Sequence, residues 1–192
     1  MERQTEEISV ELLERELERE RKKKRRAARR RGWFFFLAAL LLLGAAVLVL
    51  TQPILRISGD AMADTLRDGD LILGLRLREY HSGDVIGFRY DDGVLIKRLI
   101  AQEGDWVELD DEGKVFVNGA FVREPYVTEP DRGNSDVGFP ITVPEGRCFV
   151  LGDNRPISID SRSSALGCVP TETVLGRVVW RLWPLERFGP VR

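Results

Sequence analysis

The chain has 192 residues, 43% of them hydrophobic and 31% charged, with a formal net charge of -2. That composition belongs to a folded protein of one ordinary domain plus additional segments and excludes a wholly disordered or collagen-like chain. The near-neutral total conceals an asymmetry, because acids crowd residues 6–20 whereas Arg21 to Arg31 carries nine cations and no carboxylate.

In chain order, Ile8, Leu12, Leu13 and Leu17 recur at helical spacing among Glu and Arg, which predicts an amphipathic helix. Two heptads are too few for a coiled coil, so this piece reads as a solvated juxtamembrane helix, its basic block suited to anionic lipid headgroups. An uncharged run follows from Trp33 to Leu50. As a helix it would cover about 27 Å, enough to span a bilayer. A cleaved secretory signal fits poorly, since about thirty residues precede the run and Thr51-Gln52-Pro53 follows it in place of a small-residue cleavage site. A buried core helix rarely stays uncharged all round over such a length. The sequence therefore predicts a cytoplasmic segment over residues 1–32, a single transmembrane helix over 33–52 and an extracytoplasmic domain over 53–192, the cationic block remaining inside.

Beyond Pro53 the apolar stretches are short, rich in branched or aromatic residues, and bounded by Gly, Asp or Pro. They run over residues 70–74, 83–88, 94–100, 106–109, 114–119, 147–151 and 174–180. Each is strand-length and no long helical period separates them, so the domain is expected to be mostly β, built of antiparallel sheets. About 140 residues suffice for a core. Glu124 to Pro140, full of Pro, Gly, Asn and Asp, is expected to be a long surface loop. Trp180, Trp183 and Leu185 suit either a core or a lipid contact, and core is the expectation for most of them.

Two cysteines and one histidine are too few, and wrongly spaced, for a zinc centre, and neither a metal nor a cofactor is expected. In an exported domain Cys148 and Cys168 are compatible with a disulfide, and the sequence leaves that pairing open. His81, in the turn Tyr80-His-Ser-Gly83, reads as a surface residue, which argues against a Ser-His-Asp arrangement. The lysines are more informative. From Arg56 onward arginine supplies the positive charge at fifteen positions, and Lys97 and Lys114 are the only lysines. Lys97 lies inside the apolar strand pattern Val94-Leu-Ile-Lys-Arg-Leu-Ile100. Desolvation there would lower its pKa from about 10.4 toward roughly 7 to 8, where an amine acts as a general base; arginine could not do so. An edge-strand lysine snorkelling to water is the other reading, and the pattern alone leaves both open. Lys114, after Asp110-Asp-Glu-Gly113, needs no special role.

The short motifs narrow this. Ile57-Ser-Gly-Asp-Ala-Met-Ala-Asp-Thr-Leu66 resembles the nucleophile box of the bacterial type I signal peptidases, in which the residue directly before the methionine, Met62 here, is the attacking serine. In this chain that residue is Ala61. Gly83-Asp-Val85 and Ile96-Lys-Arg-Leu-Ile-Ala-Gln-Glu-Gly-Asp105 resemble the base-bearing region, Val117-Asn-Gly119 falls where the family has a hairpin, and Val150-Leu-Gly-Asp-Asn-Arg-Pro-Ile-Ser-Ile-Asp-Ser-Arg162 is similar to its last signature. Pro156 and Ile157 depart from the polar residues usual there. Asp64 departs from the proline frequent after the methionine and is expected to alter the turn. The blocks stand in order across nearly the whole exported domain.

The resemblance implies a mostly β, antiparallel signal-peptidase-like domain behind its membrane anchor, acting on the signal peptides of exported preproteins at the surface of membrane lipid. It implies Lys97 as general base, Ser158 as the hydroxyl that orients it, and Asp160 with Arg162 as a supporting salt bridge on one face of an extended segment. Gly59 stands where some members carry a further oxyanion donor, which leaves backbone N–H groups, chiefly that of Ala61. Alanine cannot attack a carbonyl, so the chain as written is expected to bind and not cleave. A natural pseudoenzyme that captures signal peptides or a secretion partner is the alternative. A self-cleaving repressor shares the chemistry but needs a DNA-binding domain, for which the transmembrane run leaves no room; nucleic acid is not an expected partner.

Overall fold

The computed structural model describes residues 29–44, 46–47, 51–133 and 135–191. The chain divides into two units, Met1–Thr51 and Gln52–Arg192. In the first, residues 29–44 and 46–47 are helical. Among the described residues no helix is long and apolar enough to cross a membrane. The expected span over 33–52 includes residues 45 and 48–50, and the apolar residues of the expected amphipathic helix, Ile8 to Leu17, fall within residues 1–28, all outside the described residues.

The described residues of the second unit hold twelve strands: β1 (Ile54–Arg56), β2 (Leu71–Leu75), β3 (Val85–Tyr90), β4 (Gly93–Gln102), β5 (Trp106–Leu109), β6 (Val115–Val117), β7 (Ala120–Phe121), β8 (Ile141–Thr142), β9 (Arg147–Leu151), β10 (Val169–Pro170), β11 (Val174–Trp183) and β12 (Gly189–Pro190). Eight form one sheet, in the order β1-β2-β11-β3-β4-β9-β10 with β12 against β11, and four form a second, in the order β7-β6-β5-β8. The pairings are antiparallel, in keeping with the short hairpin connections that Gly and Asp permit. Asn118 and Gly119, at φ 53° and 77°, make the two-residue turn between β6 and β7.

Side chains alternate across each strand, and that alternation distributes the core. On β9, Phe149 and Leu151 join Ile100, Ala101, Val107, Leu109, Val115 and Val143 in one cluster that draws on both sheets. Cys148 and Val150 face the other way, with Ile86, Phe88, Leu99 and Val169. A third cluster gathers Ile57, Met62, Leu66, Ile72, Val85, Val178 and Val191. Cys148 and Cys168 are free thiols. Cys148, on β9, belongs to the second cluster, whereas Cys168, just before β10, packs against the first.

Two expectations need correction. Trp180, Trp183 and Leu185 are exposed, to 37%, 52% and 67%: Trp180 and Trp183 pair within the sheet, opposite Leu73 and Leu71, with their side chains outside the core, and Leu185 lies in the turn after β11. The described residues of 124–140 contain no strand, as expected, but they are not simply a surface loop: Glu124 and Tyr126 turn inward onto buried arginines.

Candidate active site

The position expected to carry the nucleophile sits in a tight turn held from below. Met62 and Leu66, 2% and 0% exposed, anchor the turn in the core, and the Leu66 N–H closes it on the Met62 carbonyl at 2.7 Å. Gly59 precedes it at φ 82°, a conformation in which a side chain would be strained, and its N–H donates to Asp68 Oδ1 at 2.8 Å. Asp64 adopts φ 75°, which the proline ring forbids, so the turn here is built differently from one with proline at that position. Its carboxylate accepts a hydrogen bond from the Thr128 hydroxyl. The Ala61 carbonyl accepts the Asn154 N–H at 3.1 Å, while the Ala61 N–H donates no hydrogen bond among the described residues. The neighbouring hydroxyl of Thr65 is committed elsewhere, donating to Asp153 Oδ2 at 2.5 Å.

Lys97 lies mid-strand on β4 opposite Ile86 of β3 and is 3% exposed. Its Nζ donates to Ser158 Oγ at 2.8 Å. Burial is the main force on the amine: it disfavours the ammonium and brings the pKa down from 10.5 to about 8, with Arg162 pushing the same way and Asp160 and Asp153 opposing. Lys97 shares a small cleft with Ala61, Met62, Ser58 and Gly59 on one wall and Val94, Leu95 and Ile96 on the other. Pairing with β3 covers one edge of β4 along its length to Arg98, but β9 covers the other edge only from Arg98 onward. Beside the cleft, residues 93–97 therefore present an edge without a strand partner among the described residues.

Behind Ser158 the chain is fixed by buried charge. Arg162 meets Asp160 through two parallel hydrogen bonds, Nε to Oδ1 at 2.8 Å and Nη2 to Oδ2 at 2.9 Å, with both side chains at most 2% exposed. Asp160 Oδ2 also accepts the Gly152 N–H at 3.0 Å, and Arg162 reaches the carbonyls of Asp131 and Arg155. The pair forms within successive turns rather than along an extended segment, because the carboxylate turns back onto the backbone at 152. Gly152 supplies contact distance rather than unusual backbone: a Cβ there would stand 2.5 Å from Ser158 Cβ and 2.6 Å from the Ala61 carbonyl oxygen. That contact places the Ser158 segment directly against the turn bearing Ala61.

Sequence reasoning missed a second buried ion pair. Arg98, the residue after Lys97, donates to Asp153 through Nε at 2.9 Å and Nη2 at 2.6 Å and to the Gly83 carbonyl through Nη1 at 2.8 Å. With Thr65 on the same carboxylate, Asp153 joins β4 to the turn of Ala61. The signal for it in the sequence is the one that marks Lys97, a cation inside an apolar strand pattern. His81 and Lys114 lie at the surface, Lys114 paired with Glu112.

Comparison with known proteins gives a consistent set of matches. Residues 29–183 match the family model described as signal peptidase, peptidase S26. The chain is 37% identical over 145 residues to thylakoidal processing peptidase 1, chloroplastic, of Arabidopsis thaliana, covering 67% of this chain and 41% of that protein. It is 33% identical over 150 residues to signal peptidase I of Bacillus licheniformis, covering 71% and 79% respectively. A solved signal peptidase I from Enterococcus faecalis V583 is 30% identical, covering 53% of this chain and 98% of that one at a TM-score of 0.44. The chain spans about two fifths of the length of the two Arabidopsis relatives, 41% and 39%.

Proposed function

Because this chain belongs to the signal peptidase family, peptidase S26, we propose that it is a membrane-anchored signal peptidase I whose serine-lysine site lacks only its nucleophile. The observation that carries the reading is the buried Lys97 amine, 2.8 Å from Ser158 Oγ, in the cleft that Ala61 also lines. With a hydroxymethyl group at position 61, Lys97 would take its proton as the oxygen attacks a peptide carbonyl. The free Ala61 N–H would steady the resulting oxyanion. An acyl-enzyme would form, the amine leaving with the proton, and water activated by the same lysine would hydrolyse it.

The substrate is the signal peptide of an exported preprotein, cleaved after a small residue. An extended peptide would add to the open edge of β4 at residues 93–97 and present its carbonyl to position 61. A cleft of about 50 Å³ suits a side chain of alanine size. The run from Trp33 to Leu50 is the anchor, with the cationic block cytoplasmic and residues 53–192 outside. As written the chain binds without cleaving, since alanine offers no nucleophile and the nearby Thr65 hydroxyl is bound to Asp153.

Replacing Ala61 by serine tests this. The Ala61→Ser protein should cleave a preprotein after a small residue, and further replacement of Lys97 by methionine should abolish that cleavage. Alanine at 61 also favours a second reading, a binder of signal peptides that never cuts. A folded Ala61→Ser protein that binds preprotein and leaves it intact would decide for the second.

A further inference from the structure

Two buried arginines flank the Lys97–Ser158 pair, one on each element that brings it together. Arg98 follows Lys97 on β4, and Arg155 lies between Gly152 and Ser158; their exposures are 2% and 1%. A guanidinium does not shed its charge when buried, so each needs acceptors or a π face. The ring of Tyr126 covers one face of Arg98, with 3.7 Å from Cζ to the ring centroid. Arg155 donates through Nε to the Gly152 carbonyl at 3.0 Å and through Nη2 to Glu124 Oε1 at 2.5 Å. Glu124 and Tyr126 are themselves joined, the phenol donating to Glu124 Oε1 at 3.0 Å. Three consecutive residues thus tie the cation beside the lysine to the cation that holds Gly152.

We propose that Glu124 and Tyr126 are positioning residues of this site: the ring over Arg98 and the carboxylate on Arg155 lock β4 to residues 152–158, keeping the Lys97 amine dry and in register with Ser158. This rests on the reading of Lys97 as general base. Both side chains act through Arg98, Asp153 and Gly152 rather than on reacting atoms. The charged groups facing Lys97 are Asp160 and Asp153, which favour the ammonium, and Arg162, which opposes it. Removing the ring admits water beside Lys97 and weakens its desolvation, the largest force holding its pKa down. The proton affinity of the amine therefore rises.

The test uses the full chain in detergent. In the Ala61→Ser protein, Tyr126→Leu should move the acid limb of kcat/KM upward by about one pH unit, a roughly tenfold loss at pH 7, while Tyr126→Phe, which keeps the ring, leaves the limb in place. Glu124→Gln, which keeps the ring and the side-chain volume, should lower kcat more than it raises KM. Lysine carbon NMR on the chain with alanine at 61 reads the Lys97 titration without turnover, and Tyr126→Leu should move it the same way. A folded Tyr126→Leu protein with Lys97 titrating unchanged overturns the proposal. Should that variant not fold, an unchanged kcat in Glu124→Gln does so. A parent Ala61→Ser protein that fails to cleave counts against the peptidase reading alone, because the titration stands apart from it.

Discussion

Replacing Lys97 by methionine in the chain as it stands should make the protein more stable at neutral pH. Lysine and methionine fill similar space, but the folded protein holds the lysine at a pKa of about 8 against an ordinary 10.5. At about 1.4 kcal/mol per tenfold change in proton affinity, burial costs the native state about 3 kcal/mol at any pH where both states would be protonated. The sign follows from counting protons: between about pH 8 and 10.5 the unfolded chain keeps the proton that the native chain has lost, so wild-type stability rises with pH there and is level below it. Methionine removes that cost and also the hydrogen bond to Ser158, a pH-independent loss of about 1 kcal/mol. Lys97→Met should therefore gain about 2 kcal/mol at pH 7, and the gain should disappear as pH rises through the window. Urea unfolding of both proteins from pH 6 to 10.5 measures the difference, in which the other titrating groups cancel. A difference that stays flat across that range, or widens with pH, refutes the claim that burial governs this amine.

Gly152→Ala tests the close approach of Ser158 to the turn of Ala61. The new Cβ would meet Ser158 Cβ at 2.5 Å and the Ala61 carbonyl at 2.6 Å, so in the Ala61→Ser protein single-turnover cleavage should fall about a hundredfold through misplacement of the pair. Asp160→Asn removes the charge that matches Arg162, which is 2% exposed. Unfolding in urea should show a loss of about 3–5 kcal/mol. Because the Asp160 charge favours the Lys97 ammonium, the same variant should let the amine titrate lower, opposite in sign to Tyr126→Leu, as lysine NMR will register.

Strands with clear apolar content were legible in the sequence, from the three-residue β6 inside 114–119 to the ten-residue β4 and β11. Residues 106–109 and 147–151 coincide with β5 and β9, and the others shift by a few residues at their ends. Five of the six strands of two or three residues, β1, β7, β8, β10 and β12, were not legible, because so short a segment shows no alternation and exists only through its partner. Among site residues, the motif order drew attention to Lys97, Ser158, Asp160 and Arg162. Arg98, Glu124, Arg155 and Tyr126 were not legible as site residues: an arginine is the ordinary cation of this domain, at fifteen positions, and a Pro-rich segment looks external. Their burial comes from chain far away in sequence, with Glu124 reaching Arg155 across thirty-one positions.

By itself the sequence determined which chemical groups exist: an amine in an apolar strand, a missing hydroxyl before a methionine, an uncharged run behind a cationic block. Period-two alternation and turn residues are local properties, so the sheets could be anticipated from them. Whether that amine is dry, which hydroxyl it meets, and which carboxylate neutralises each buried guanidinium depended on tertiary structure alone. Desolvation and charge pairing are set by distances between residues remote in the chain, and only folding fixes those.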